Sequence, residues 1–321
     1  MEQVATLTEF ANDTLKGLSA SQKYLSSQYF YDTKGSRIFQ DIMQMSEYYL
    51  TDCELEIFET KKQEIFEVFT NRDTSYNLIE LGAGDGLKTK VLLSHFLDQQ
   101  PSFEYTPIDI SEEAVKNLVV DLERELPGIQ VNGMVGDYFL LMEEINQYHF
   151  TKKILLFLGS NIGNFNERET LIFLNKLKSV MHSGDLLFIG FDLKKDPDII
   201  LNAYNDPHGH TAAFNLNLLQ RINSELNANF ILRNFRHREV YNPQSGTAKS
   251  KLISLTKQEV EIFDLNKTFL FEEGESIFME MSQKYDMKMI ADLAYKSGFE
   301  IVRNFHDRRQ YFVNSLWKLK S

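Results

Sequence analysis

Between Tyr76 and Leu193 short apolar runs alternate with amphipathic stretches. Residues 77–81 (NLIEL), 104–110 (EYTPIDI), 153–159 (KILLFLG) and 185–193 (DLLFIGFDL) are short, nearly continuous in apolar side chains, and predict strands. Between them, residues 88–100, 112–126 and 167–181 place apolar residues three or four apart and predict helices. Strands with no polar face belong in a sheet covered on both sides. Their alternation with helices predicts a mostly parallel, doubly wound α/β sheet through right-handed crossovers.

The flanks read differently. Residues 51–69 predict a helix, with Thr51 as N-cap, Glu54 reaching back in a capping box, and Leu55, Phe58, Ile65 and Phe69 on its apolar side. Residues 194–288 lose the strand–helix rhythm. They carry polar helices, a hairpin turn around Asn242–Gly246 and two strand-like runs, KLISLT and FLFEEGES. This stretch predicts an inserted α+β domain, grouped with the N-terminal lead-in. The expected division is therefore 61–193 plus 289–321 for the sheet domain and 1–60 plus 194–288 for the second. From Met287 the pattern gives a helix, a turn at Ser297-Gly298, a strand, and a last strand 310–319 hairpinned through His306–Arg309. Such a hairpin gives the sheet a reversed last strand, unlike the all-parallel half-sheets of dehydrogenases.

Composition narrows the function classes. Asp and Glu number 46 against 34 Lys and Arg, a net charge of −12 over 321 residues, which repels phosphate backbones and argues against a nucleic-acid partner. The basic pairs Arg236/Arg238 and Arg308/Arg309 are too few to reverse that. The single cysteine, Cys53, excludes an intrachain disulfide, and it lies on a predicted helix as a packed thiol. The first residues lack the pattern of a secretory signal, and no apolar run approaches the length of a membrane span. The expectation is a cytoplasmic monomer with a small-molecule substrate and no membrane partner. His208 and His210, in a Pro/Gly turn, have no third ligand at useful spacing and predict no metal site.

The sharpest local signal is Glu80-Leu81-Gly82-Ala83-Gly84-Asp85-Gly86, after the first strand and before a helix. Glycines there let the backbone turn sharply and approach a ligand closely. A phosphate-binding Walker loop fails because Leu87 stands where the second glycine is required, and a dinucleotide fingerprint fails by one residue. The form E-L-G-x-G-x-G resembles motif I of the class I methyltransferases. The next strand ends at Asp109, an acid placed to bind a ribose diol. Gly136-Asp137-Tyr138 follows the short run VNGMV, where such enzymes hold the adenine amine. The expected cofactor is S-adenosyl-L-methionine, leaving as S-adenosyl-L-homocysteine, with Glu80, Gly82, Gly84, Lys88, Asp109, Asp137 and Tyr138 around it.

Longer motifs carry a closer resemblance. Residues 29–39 (YFYDTKGSRIF), 47–51 (EYYLT), 157–165 (FLGSNIGNF), 204–206 with 211–215, and 280–285 (EMSQKY) are similar to the histidine Nα-methyltransferase family of ergothioneine biosynthesis. The likeness covers nearly the whole chain. It implies a Rossmann-like class I methyltransferase sheet with an inserted α+β substrate-binding domain, acting on the α-amino group of a free amino acid, histidine first, to give the trimethylated betaine. It also implies that Tyr31, Asn164 and Tyr204 hold the reacting amino-acid end, and that Glu280 and Ser282 bind the imidazole nitrogens. One position departs: Ser250 stands where the family usually carries Met near the substrate ring. That leaves open another small amino acid or amine as substrate. A non-catalytic S-adenosylmethionine-binding protein is the alternative of a different class.

Overall fold

A computed structural model describes residues 8–70, 75–99, 102–148 and 151–320, without the side chains of 146–148. Three helices, α1 (Glu9–Ser19), α2 (Thr33–Met43) and α3 (Tyr49–Thr70), precede the first strand. Then strand and helix alternate as the apolar runs predict: β1 (Ser75–Leu81), α4 (Thr89–Asp98), β2 (Ser102–Asp109), α5 (Glu112–Glu125), β3 (Met134–Val135), α6 (Tyr138–Tyr148), β4 (Lys152–Phe157), α7 (Glu167–Val180) and β5 (Leu186–Asp192). Next come α8 (Pro197–Tyr204), α9 (His210–Glu225), β6 (Phe235–Asn242), β7 (Thr247–Ser254), β8 (Gln258–Ile262), β9 (Lys267–Phe271) and β10 (Ser276–Gln283). The last elements are α10 (Met287–Ser297), β11 (Phe299–His306) and β12 (Phe312–Leu319).

By the density of backbone contacts the chain divides after Tyr49, Lys194 and Ser282 into two units. The expected divisions were after 60, 193 and 288. The first moves because α3 is one continuous helix whose Cys53, Ile57 and Phe58 are wholly buried, Phe58 stacking on Phe188 of β5 at 6.2 Å.

The unit of 50–194 and 283–321 holds a seven-stranded sheet in the order β11-β12-β5-β4-β1-β2-β3. Pairings among β1 to β5 are parallel, and β12 runs antiparallel to both β5 and β11. This is the reversed C-terminal hairpin the sequence predicts, opened by Gly298 in the left-handed conformation (φ 81°) that caps α10. Every residue of β5 is buried, as a strand covered on both faces requires. β1 pairs with both β2 and β4, so the direction of winding reverses between β1 and β4 and their carboxyl ends open on a crevice.

The unit of the lead-in and 195–282 is built on a three-stranded sheet, β10-β7-β6. Residues 23–25 add a short parallel edge to β10: Phe278 N donates to Lys23 O and Leu25 N to Phe278 O, each at 2.9 Å. Helices α8 and α9 pack against β6 and β7, and α2 packs against α9. Asp32 joins α2 to α9 by capping α2 at Gly35 N (2.6 Å) and accepting from Asn217 Nδ2 (2.8 Å). The hairpin at Asn242–Gly246 forms as predicted. The run FLFEEGES does not form one strand: it is broken by a turn at Gly274 (φ 82°), with β9 pairing back to β8 and β10 starting at Ser276.

The expected cap at Thr51 is also corrected. The helix begins at Tyr49, so Thr51 lies inside its first turn, and the Glu54 carboxylate is engaged elsewhere.

Candidate active site

After β1 the chain turns with Gly82, Gly84 and Gly86 all at positive φ (72°, 56° and 63°), a region that side-chain-bearing residues enter at a cost of roughly 1–2 kcal/mol. Gly82 N and Ala83 N donate to Ile108 O at 2.8 and 3.2 Å, so the loop leans on β2. Gly84 N donates to Asp109 Oδ2 at 3.1 Å, and Asp109 Oδ1 accepts from Ser111 N at 3.0 Å. A carboxylate can accept about four hydrogen bonds, so two remain for a diol. The glycines differ in their surroundings. A Cβ at Gly84 would meet nothing within 4 Å, and at Gly82 only Asn161 Nδ2 at 3.6 Å, whereas at Gly86 it would strike Leu118 Cδ1 at 2.5 Å. Gly82 and Gly84 thus border open space, and Gly86 serves close helix packing.

Four large apolar side chains are exposed around the carboxyl ends of the adjacent parallel strands β1, β2 and β3: Leu87 (49%), Ile110 (63%), Val135 (46%) and Leu140 (68%). Exposed apolar groups gathered at one sheet edge fit the flat faces of a purine. Sequence reading missed them because single exposed aliphatics look ordinary. Their signal was adjacency, since each lies within three residues of Gly86, Asp109 or Asp137. The donor set, the open glycine edge and these aliphatics together fit the adenosyl part of S-adenosylmethionine.

The other expected cofactor residues sit behind or beside this edge. Glu80 is buried, accepting from Thr89 Oγ1 at 3.0 Å and Tyr105 OH at 2.5 Å. Burial pushes its pKa up to about 7 against those two hydrogen bonds and the Lys88 charge. It therefore braces the start of α4 against β1 and β2. The Lys88 ammonium pairs with Glu54, whose wholly buried carboxylate also accepts from Gly159 N at 2.9 Å and Asn314 Nδ2 at 2.7 Å. Asp137 is exposed and caps α6 through Phe139 N (2.9 Å) and Leu140 N (3.1 Å). Tyr138 packs edge-on to Phe139 and Phe173, at 4.8 and 5.9 Å, and burial raises its pKa to about 12.

Asn164 ends a short 3-10 turn, Asn161–Asn164, after β4, entered through Ser160 in a left-handed conformation (φ 58°). Two hydrogen bonds and one close backbone approach hold that turn. Ser160 Oγ accepts from Asp192 N at 3.0 Å, Tyr285 OH donates to Ile162 O at 3.4 Å, and a Cβ at Gly163 would lie 2.9 Å from Gln283 O. Beside it Lys284 Nζ and Asp192 Oδ2 form an ion pair at 2.7 Å with no exposure.

The remaining expected residues belong to the other unit. Tyr31 stands edge-on to Phe39 (5.4 Å) and Phe214 (5.5 Å), Phe39 meets Tyr48 (6.3 Å), and Tyr48 meets Tyr204 (6.1 Å). The Tyr204 hydroxyl bonds to Ser282 Oγ at 3.1 Å. A line of ring contacts thus runs from Tyr31 to Tyr204, and the hydroxyl bond extends it to β10, where Glu280, two residues before Ser282, shares its face. Ser250 is buried on β7 and donates to Glu239 Oε2 at 2.5 Å. Sequence reading had not singled out Glu239.

His208 and His210 lie 6.2 Å apart, ring to ring, and among the described residues no group of three or more His, Cys, Asp or Glu is placed to hold a metal ion. No described helix is long and apolar enough to cross a membrane. Cys53 is buried and accepts from Arg309 Nη2 at 3.2 Å.

Residues 10–319 match a family described as histidine-specific, SAM-dependent methyltransferase. The histidine N-alpha-methyltransferase of Mycobacterium tuberculosis is 33% identical over 304 residues, covering 95% of this chain and 93% of that protein. That of Mycolicibacterium smegmatis is 34% identical over 283 residues, 88% of this chain and 86% of that protein. The ergothioneine biosynthesis protein 1 of Schizosaccharomyces pombe is 27% identical, covering 88% of this chain and 37% of that protein. With a parallel sheet ending in a reversed hairpin and a match over nearly its whole length, the chain belongs to the S-adenosylmethionine-dependent, histidine-specific methyltransferase family.

Proposed function

We propose that this methyltransferase binds S-adenosylmethionine at the Gly82–Gly84 loop and methylates the α-amino group of free histidine, to the trimethylated betaine. The observation that carries the reading is the bond from Gly84 N to Asp109 Oδ2 at the open carboxyl edge of β1 and β2, in a chain of this family. S-adenosylmethionine supplies an electrophilic methyl group on a sulfonium. The open edge at Gly82 and Gly84 accommodates its methionine end, Asp109 accepts from the ribose diol, and Ile110 and Leu140 cover the purine near Asp137. Glu80 and Lys88 act from behind, holding the loop.

The candidates for the amino acid are those of the family motifs. Asn164, on its pinned turn, is a candidate ligand of the carboxylate. Tyr31 and Tyr204 are candidates for the amino end, and Glu280 and Ser282 for the imidazole. Displacement at the methyl needs a neutral amine in line with it, and fixing that line supplies several kcal/mol. Polar but uncharged partners such as Tyr and Asn disfavour the ammonium by desolvation, which lowers its pKa toward release of the proton.

The test is calorimetric titration of histidine, with other amino acids as controls, into protein saturated with S-adenosylhomocysteine, followed by mass spectrometry of the methylated product. Glu280→Ala should weaken histidine about 10- to 100-fold, the worth of a charge-assisted hydrogen bond, and leave the affinity for S-adenosylhomocysteine unchanged. Equal losses for both ligands, or another amino acid binding in place of histidine, would overturn the substrate.

A further inference from the structure

One face of the β10-β7-β6 sheet carries a row of buried polar side chains, of which only Ser282 is used above. Along β6 covered and exposed positions alternate, so His237 and Glu239 point to the covered side with Phe235. Ser250 lies directly opposite Glu239 in the β6–β7 pairing and shares that side. The end of α8 fixes which side this is. Tyr204 reaches Ser282 on β10, and α8 itself packs against β6 and β7. Ser282, Ser250, Glu239 and His237 therefore cross three neighbouring strands beneath the end of α8, and Glu280 faces the same way as Ser282.

The hydrogens in this row can be counted. Ser250 has one hydroxyl hydrogen, and it goes to Glu239 Oε2 at 2.5 Å. His237 Nε2 lies 3.4 Å from Ser250 Oγ and 3.9 Å from Glu239 Oε2. With the Ser250 hydrogen committed, the closer contact is a hydrogen bond only if Nε2–H donates to Ser250. Burial holds the His237 pKa down at about 4, so at neutral pH the ring is uncharged and has one N–H to give. Ser250 is left with acceptor capacity alone.

We propose that Glu239 is a positioning residue for the substrate side chain: by taking the hydrogen of Ser250 it makes that hydroxyl a pure acceptor, so the subsite selects amino-acid side chains that donate hydrogen bonds over rings of equal size that only accept. This rests on the histidine reading above. On the neighbouring strand β10 the Glu280 carboxylate has the same polarity. An accepting oxygen at Ser250 matches a ring N–H and penalises a ring nitrogen that offers only a lone pair.

The experiment titrates two amino acids, with S-adenosylhomocysteine saturating, into wild type, Glu239→Gln and Ser250→Ala. One is histidine. The other is 3-(thiazol-4-yl)alanine, whose five-membered ring accepts but does not donate. Wild type should favour histidine by about tenfold or more, the worth of one good hydrogen bond. Glu239→Gln lets the side-chain amide donate to Ser250 and frees the hydroxyl hydrogen, and Ser250→Ala removes the oxygen. Each should narrow the preference by about threefold or more, mainly by weakening histidine. A residue that only held the strands together would weaken both amino acids alike. An unchanged ratio in either folded variant overturns the proposal and leaves the histidine reading standing. Wild type that binds neither ring overturns the histidine reading, and the selection for donors with it.

Discussion

Gly84 N donates to Asp109 Oδ2 at 3.1 Å, so the loop after β1 and the acid ending β2 form one rigid edge. The same carboxylate is expected to bind the ribose. Asp109→Ala should therefore lower affinity for S-adenosylhomocysteine about 10- to 100-fold, from the loss of charge-assisted hydrogen bonds worth roughly 1.5–3 kcal/mol. Because Asp109 is only partly buried, melting should shift by only a few degrees. Calorimetry reads the affinity, and an unchanged value would remove the ribose assignment.

The glycines of the loop should separate by function. Gly84→Ala places a methyl in open space and costs only the strain of a left-handed alanine, about 1–2 kcal/mol. The fold should survive, while a methyl pushed into the ligand should cost about tenfold or more in S-adenosylhomocysteine affinity. Gly86→Ala carries the same strain and also strikes Leu118, so its melting temperature should fall further. If Gly84→Ala bound the ligand like wild type, the open edge would not be where the cofactor lies.

Glu80 should leave a pH signature in stability. Its folded pKa of about 7 lies above that of an unfolded glutamate near 4.5, so between those values the native state holds a proton the unfolded chain has released. Stability from this residue is then present below about pH 4.5 and is lost as pH rises to about 7, by up to about 3 kcal/mol. Glu80→Gln removes the titration, though it gives up one accepted hydrogen bond at every pH. Melting of the variant relative to wild type should improve from pH 5 to pH 7.5, and a difference that does not move with pH would contradict a raised pKa.

The legible parts of this chain are those where burial writes a period. β4 and β5 are buried along nearly their whole length and read as apolar runs, and the glycine loop and Asp109 follow at fixed places after strands. The illegible parts are charged residues that the fold buries in pairs. Glu54 looks like a cap residue in a charged helix. Its signal lay in its place on the stripe of Leu50, Cys53, Ile57 and Phe58, where one acid among apolar side chains implies a buried partner. FLFEEGES failed because strand propensity is read along the chain, while the turn at Gly274 is set by a left-handed backbone. The row from Tyr31 to Ser282 joins residues 31, 39, 48, 204 and 282, a proximity that no local period encodes. Motif resemblance pointed to three of these five residues for the site.

Lys284 and Asp192 illustrate the same point and give the last prediction. Their ion pair at 2.7 Å has no exposure, and the Asp192 amide also donates to Ser160, which begins the turn carrying Asn164. A buried pair returns little net stability, since desolvation of both charges offsets their attraction. Removing one partner is different, because it strands the other charge. Lys284→Met or Asp192→Leu alone should cost about 3–5 kcal/mol, while the double variant should recover more than half of the summed loss. Thermal melts of the four proteins, with and without S-adenosylhomocysteine, read the coupling. Losses that simply add would mean that the two charges are stabilised independently, and the pair would then have no part in holding the turn at Ser160.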